Sequence, residues 1–207
     1  RRYEEASGTP VDLRLVGYHT VAFLQFAGIA TKFFGDPKAI GGNWIEGLLE
    51  YASITRRACE AIAELNDISL DYDLALPEIK HNTLEESALE KLMVDIQRLP
   101  TSKAFEAWER DLLHSIPAFL LNYSRYRHWY ESTTKTDIEA LIGGAFATLE
   151  QADSALSEVI AANDQTLDPA LVQLTHRRSL RLSMIIAGTD PDPSNPLFHI
   201  LDPILDN

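Results

Sequence analysis

The sequence predicts an all-α protein: a single-domain bundle of six to seven helices around a buried first helix. Apolar residues recur every three or four positions over long stretches, and each stretch is bounded by residues typical of helix starts and ends. Stretches with the strict alternation of a half-buried strand are not found. The chain has 207 residues, of which 45% are hydrophobic, so it can bury one sizeable core. It begins with Arg1 rather than Met, and we therefore expect it to be part of a longer chain.

The first helix is predicted to begin at Thr9 and Pro10 and to run to about Phe34, before a glycine-rich break. It is apolar nearly all round, which is typical of a helix at the centre of a bundle. Its apolar run is too short, and too often interrupted by polar residues such as His19 and Gln25, for a membrane span. We expect no membrane partner.

The next two helices have clear start signals. Asn43 and Glu46 have the spacing of a capping box and open a helix that ends near Leu65. Thr83 and Glu86 repeat that spacing and open a third helix, which stops before Pro100. An acidic loop joins the two.

The fourth helix is predicted from Thr101 or Ser102 to about Glu131, and Pro117 should kink or divide it because proline lacks a backbone donor. Its aromatic residues share one stripe, which predicts that they lie in the core. The stripe consists of Phe105, Trp108, Leu112, Phe119, Tyr123, Tyr126 and Tyr130. Arg127 lies at its margin, whereas Arg125, His128 and Trp129 project away from it.

The remaining helices follow from similar signals. Thr136 opens a fifth helix that runs to about Ala162, and Asp168 opens a sixth that ends at Gly188. A short apolar helix is expected over residues 197 to 205. Within the fifth helix, Gly143 and Gly144 indicate close helix approach rather than a ligand loop.

His19 is the first candidate site residue, because it falls on an apolar face of the first helix. One interpretation is a core histidine whose hydrogen bonds are satisfied. The alternative is a functional imidazole, which could serve as an axial ligand of haem or as a general base.

Arg178 is the second candidate, because it lies in the middle of the apolar stripe of the sixth helix. A guanidinium cannot lose its proton, so a buried Arg178 needs an anionic partner. The partner is either an acidic residue of a neighbouring helix or the carboxylate or phosphate of a small anionic ligand. In the second case, Arg127 or Arg181 would help to neutralise the acid group. A position at the end of the bundle, with the charge reaching solvent, is a third option.

The net charge of -13 opposes binding to nucleic acid, because such a surface repels phosphate. The lone Cys59 cannot form an internal disulfide, which fits a reducing compartment such as the cytoplasm. Two carboxylate-x-x-His pairs, Glu78/His81 and Asp111/His114, lack the inward glutamates of a di-iron bundle, and we expect no metal site there.

No phosphate loop, paired CxxC, HExxH, GxSxG or EF-hand pattern occurs in the sequence. Together with the acidic charge, this favours a non-catalytic interaction or regulatory protein whose helical surface engages a protein partner. The alternative is a small-molecule site inside the bundle, built on His19 and Arg178, of which haem-dependent oxidation is the enzymatic form.

Overall fold

The computed structural model describes residues 2–25, 44–72, 74–78 and 83–186. These residues contain seven α-helices and no strand, which confirms the predicted all-α fold class. The helices are α1 (Arg2–Ser7), α2 (Leu13–Gln25), α3 (Trp44–Leu65), α4 (Leu84–Gln97), α5 (Ala104–Ile142), α6 (Leu149–Ala161) and α7 (Asp168–Ile186). A 3₁₀ turn, Gln165–Leu167, precedes α7. In the described ranges no helix is long and apolar enough to cross a membrane.

A predicted helix start agrees with the structure where a side chain accepts a hydrogen bond from the first turn of the helix. The Thr83 side chain accepts a hydrogen bond from the backbone N–H of Glu86 at 3.2 Å, as the capping spacing predicts. The start of α2 lies slightly later than expected, because the Asp12 carboxylate accepts from the backbone N–H of Arg14 at 3.0 Å. The predicted end of this helix near Phe34, and the predicted helix over 197–205, lie outside the described residues.

The predicted boundary between Glu131 and Thr136 is wrong, because α5 is one continuous helix of 39 residues. Pro117 lies inside α5 without dividing it. The Thr136 hydroxyl donates to the Ser132 carbonyl at 2.9 Å, so it bonds back along the helix instead of capping a new one.

The helix ends instead at Gly143, whose φ of 77° is a conformation that favours glycine. A Cβ added to Gly143 would have nothing within 4 Å, so the interpretation of this glycine as a point of close helix approach is wrong. The next helix, α6, begins after Thr148, whose side chain accepts from the backbone N–H of Gln151 at 3.3 Å.

The core lies where α3, α5 and α7 meet, with α6 covering a second cluster at one end. In the bundle α3 packs against α7 and α2, and α5 packs against α4, α6 and α7. The first cluster contains Ile45, Leu48, Ala52, Phe119, Tyr130, Ile185 and Ile186. The second contains Ile138, Ala152, Leu156 and Leu174. The predicted aromatic stripe of α5 is therefore core from Phe119 onward, whereas Phe105 and Trp108 are exposed.

The described part of α2 packs against α3 through a glycine. Gly17 is buried, and a Cβ at this position would lie 3.0 Å from the Leu65 side chain. Leu15, Val16 and Tyr18 are exposed. This part of the first helix therefore lies at the edge of the bundle, and the central position predicted for the helix stays a prediction for residues 26–34, which lie outside the described residues.

Candidate functional site

A cavity of about 500 Å³ lies between α3, α5, α6 and α7. Its apolar walls are formed by Leu48, Phe119, Leu120, Leu149 and Leu182. Its polar groups come from Tyr51, Thr55, Tyr123, Tyr130, Glu131, Thr175, Arg178 and Ser179. The α3 residues at 48, 51 and 55 are one helical turn apart, so they present one face to the cavity. Leu120 and Thr175 are exposed and mark the side that faces solvent.

Arg178 lies in the wall of this cavity and has its own counter-ion. Its Nη1 and Nη2 donate to the two carboxylate oxygens of Asp153 on α6, at 2.6 and 2.8 Å. Its Nε donates to the Tyr130 hydroxyl at 3.2 Å. Burial by itself would lower the pKa of Arg178, but the hydrogen bonds and charges of Asp153 and Tyr130 outweigh it and raise the pKa. The acidic residue of a neighbouring helix, one of the predicted alternatives, is thus present.

Arg181 does not line the cavity. It is buried, and its Nη2 lies 2.7 Å from a carboxylate oxygen of Asp137 on α5. Its Nη1 lies 3.5 Å from the Thr134 hydroxyl. The same Asp137 oxygen accepts from Nε of Arg177 at 3.3 Å. These two arginines therefore hold α7 against α5 and are not positioned to contact a ligand in the cavity.

Arg127 also lies away from the cavity. It is exposed, and its Nε donates to Glu131 at 2.7 Å, one turn further along α5. Glu131 itself lines the cavity. Two further residues of α5 contact other parts of the bundle. Arg125 donates to Glu90 of α4 at 2.8 Å, and Trp129 packs against the first core cluster. The prediction that Trp129 projects away from the core is wrong.

His19 lies exposed on α2 and does not line the cavity. The structure therefore does not bring His19 and Arg178 together. None of the described residues that line the cavity is a histidine, cysteine or methionine. The cavity therefore does not fit a haem group held through His19, because His19 is not among the described residues that line it.

The sequence interpretation missed a buried polar cluster on the opposite side of the contact between α3 and α7. His176 is fully buried, and its Nε2 lies 3.7 Å from a carboxylate oxygen of Glu60. The other oxygen of Glu60 accepts from Nη1 of Arg57 at 2.7 Å. Burial would raise the pKa of Glu60, but His176 and the two neighbouring arginines outweigh it and lower the pKa.

The helical periodicity of the sequence places Glu60 on the face of α3 opposite Leu48 and Tyr51, which predicts that it is exposed to solvent. It is buried because α3 packs against α2 on one side and α7 on the other, so its polar face is covered as well. Arg56 and Arg57 precede Glu60 by four and three residues, and these spacings are the sequence signals of the ion pairs found here.

The fold and the cavity together define an all-α bundle with a mainly apolar cavity that is open to solvent on one side. No protein-family model matches the chain, and no curated protein or solved structure matches it either.

Proposed function

We propose that the protein binds a small molecule in the cavity between α3, α5, α6 and α7. The observation that supports this is the cavity itself, whose volume of about 500 Å³ lies within the range typical of ligand sites. Protein interiors are packed nearly as densely as organic crystals, and voids larger than a water molecule are few. A cavity of this size, with apolar walls and a few polar groups, has the composition of a ligand site rather than of a packing defect.

A neutral apolar fluorophore, 1-N-phenylnaphthylamine, tests this proposal. We expect saturable binding with a rise in fluorescence, because the dye would leave water for an apolar cavity. Leu182→Trp places extra volume in the cavity wall and should abolish binding. Leu171→Trp is the matched control, because Leu171 lies on the same helix and packs against the second core cluster instead. Absence of saturable binding, or equal binding by the Leu182 variant, would overturn the proposal.

Engagement of a protein partner is a second candidate function, and an exposed apolar face of α5 favours it. Large exposed side chains share one side of the first half of this helix: Phe105, Trp108, Leu113, Ile116 and Leu120. Contiguous exposed apolar surface is typical of interaction sites. The exposed Glu109 lies on the same side, and the described part of the chain provides it with no ion pair. The fitting partner is therefore an amphipathic helix that carries lysine or arginine.

A synthetic peptide of 18 residues, with leucines on one helical face and lysines on the other, tests the second candidate. We expect the affinity to fall at least about fivefold in Trp108→Ala and in Glu109→Lys, because each removes one part of the complementary surface. Leu84→Ala is the control, since Leu84 is exposed on α4 and lies outside this face. Equal binding of a glutamate version of the peptide, or self-association of the protein through this face in sedimentation, would contradict the candidate.

A further inference from the structure

We infer that the ligand of the cavity is uncharged: a largely apolar molecule with one hydrogen-bond acceptor, such as a carbonyl oxygen, that faces Tyr130. This inference rests on the proposed small-molecule function and names the chemical class that the same site would take. It differs from the anionic ligand that the sequence suggested. Charge, hydrogen-bonding capacity and wall composition each support it.

The described residues of the cavity wall carry no uncompensated charge. Among the described residues that line the cavity, only Arg178 and Glu131 are ionic. Asp153 neutralises Arg178 through both of its carboxylate oxygens, and Arg127 neutralises Glu131. A charged ligand would lose part of its hydration without gaining a counter-charge, which is unfavourable. An anion would have to displace Asp153 from an arginine that it already holds with two short hydrogen bonds.

The phenols of Tyr51 and Tyr123 in the cavity wall keep their protons at physiological pH. Burial raises the pKa of Tyr51, and burial together with the charge of Glu131 raises the pKa of Tyr123. Neither phenol therefore adds negative charge to the site.

Tyr130 is the residue best placed to select the ligand. Its hydroxyl oxygen accepts from Nε of Arg178 at 3.2 Å. Within the described part of the chain its phenolic proton is given to no acceptor, so a ligand oxygen can take it. Arg178 in turn is fixed by Asp153. The Ser179 hydroxyl is used differently, because it donates to the His176 carbonyl at 2.9 Å. The ligand atom that suits Tyr130 is therefore a neutral acceptor oxygen.

The rest of the wall suits an apolar, flat body. Phe119 and Tyr123 form a stacked pair, with ring centroids 5.6 Å apart and planes inclined by 25°. Leucines 48, 149 and 182 complete the apolar walls. A planar aromatic ring can lie against the stacked pair while its polar group reaches Tyr130.

Three probes with the same ring system test the inference: 2-acetylnaphthalene, naphthalene and 2-naphthoate. Each is measured by displacement of 1-N-phenylnaphthylamine. We expect 2-acetylnaphthalene to bind about three- to tenfold more tightly than naphthalene, which corresponds to one neutral hydrogen bond. It should bind at least about tenfold more tightly than 2-naphthoate. Tyr130→Phe should remove the preference for the acetyl compound and leave the affinity for naphthalene unchanged.

Asp153→Asn supplies the complementary test, because it keeps the side-chain shape and leaves Arg178 without a counter-ion. In this variant we expect 2-naphthoate to bind more tightly than 2-acetylnaphthalene, which reverses the order in the wild type. The comparison is made between two probes in one variant, so a change in stability does not affect it.

The outcomes separate this inference from the proposed function. If the fluorophore binds and 2-naphthoate matches or exceeds 2-acetylnaphthalene in the wild type, the inference is wrong and the cavity remains a binding site. A preference for 2-acetylnaphthalene that survives in Tyr130→Phe also overturns it. If neither the fluorophore nor any of the three probes binds, the proposed function itself fails.

Discussion

Replacing Asp137 with asparagine should destabilise the protein more than the same replacement at Asp153. Both changes remove a counter-ion from an arginine of α7. The difference lies in burial: the Arg181 side chain beside Asp137 is 3% exposed, whereas Arg178 and Asp153 are each 34% exposed. A charge that loses its partner in the interior cannot regain its hydration, whereas a partly exposed charge can be solvated by water.

The magnitudes follow from this difference. Removing one partner of a buried ion pair costs about 3 to 5 kcal/mol, and exposed pairs contribute about 0.2 to 1 kcal/mol. Asp137 is itself 21% exposed, which places Asp137→Asn near the lower end, at about 3 kcal/mol. The pair of Arg178 and Asp153 has two short hydrogen bonds but is one-third exposed, so Asp153→Asn should cost about 1 to 2 kcal/mol.

Urea unfolding followed by far-ultraviolet circular dichroism measures both losses. Domains of this kind are stable by about 5 to 15 kcal/mol, so both variants should remain folded in the absence of urea. Arg181→Met in the Asp137→Asn background should recover most of the lost stability, because it removes the orphaned charge and keeps an apolar stem. The reasoning is refuted if the two single replacements cost the same, or if the added methionine recovers nothing.

Four further predictions concern local features. Burial and the charge of Glu60 raise the pKa of Cys59 from about 9 to about 12. Ellman's reagent should therefore label this thiol at pH 8 only after urea unfolds the chain. Rapid labelling of the folded protein would contradict this prediction. Because of this raised pKa, the Cys59 thiol loses its proton at a lower pH in the unfolded chain than in the folded protein. The free energy of unfolding should therefore fall as the pH rises from 9 toward 12, by up to about 1.4 kcal/mol per pH unit. Urea titrations at pH 8, 9 and 10 measure this decrease, and Cys59→Ala should remove the contribution of the thiol to it. Thr83→Ala should lower the free energy of unfolding by about 1 kcal/mol, because it removes the N-cap of α4. Thr83→Ser keeps the hydroxyl and should lower the melting temperature much less than Thr83→Ala. Equal decreases in melting temperature for the two variants would argue against capping. Gly143→Ala should cost about 1 to 3 kcal/mol, because φ of 77° is strained for alanine, and an unchanged melting temperature would refute this.

Start signals and periodicity predicted the fold class and several helix limits, because they depend on contacts within one or two helical turns. Thr83 is an example, since its hydroxyl reaches a backbone N–H only three residues away. The same local logic failed at Thr136, where the spacing resembles a cap. The Thr136 hydroxyl could either accept from a backbone N–H as a helix cap or donate to a carbonyl of the preceding turn. Because α5 is continuous here, the hydroxyl donates to the Ser132 carbonyl.

Helical phase was least reliable for residues that contact more than one neighbouring helix. It assigned Glu60 to solvent because a helix with a single neighbour buries only its apolar face. Helix α3 packs against both α2 and α7, so its polar face is buried as well. It assigned Trp108 to the core because periodicity identifies an apolar face without showing what covers it. His19 was a candidate for the same reason, and it is exposed.

The helical fold class, and the need of a buried Arg178 for an anionic partner, could be predicted from the chain alone, because helix propensity and the fixed charge of a guanidinium are properties of the residues themselves. The packing of the helices was needed to show that this partner is Asp153, that Arg127 and Arg181 pair with other acidic residues, and that Tyr130 contacts Arg178 beside a cavity. The physical reason is that ion pairing is short-ranged. Which of 31 acidic residues satisfies a given arginine depends on the few ångströms that separate packed helices, and local sequence patterns do not specify that distance.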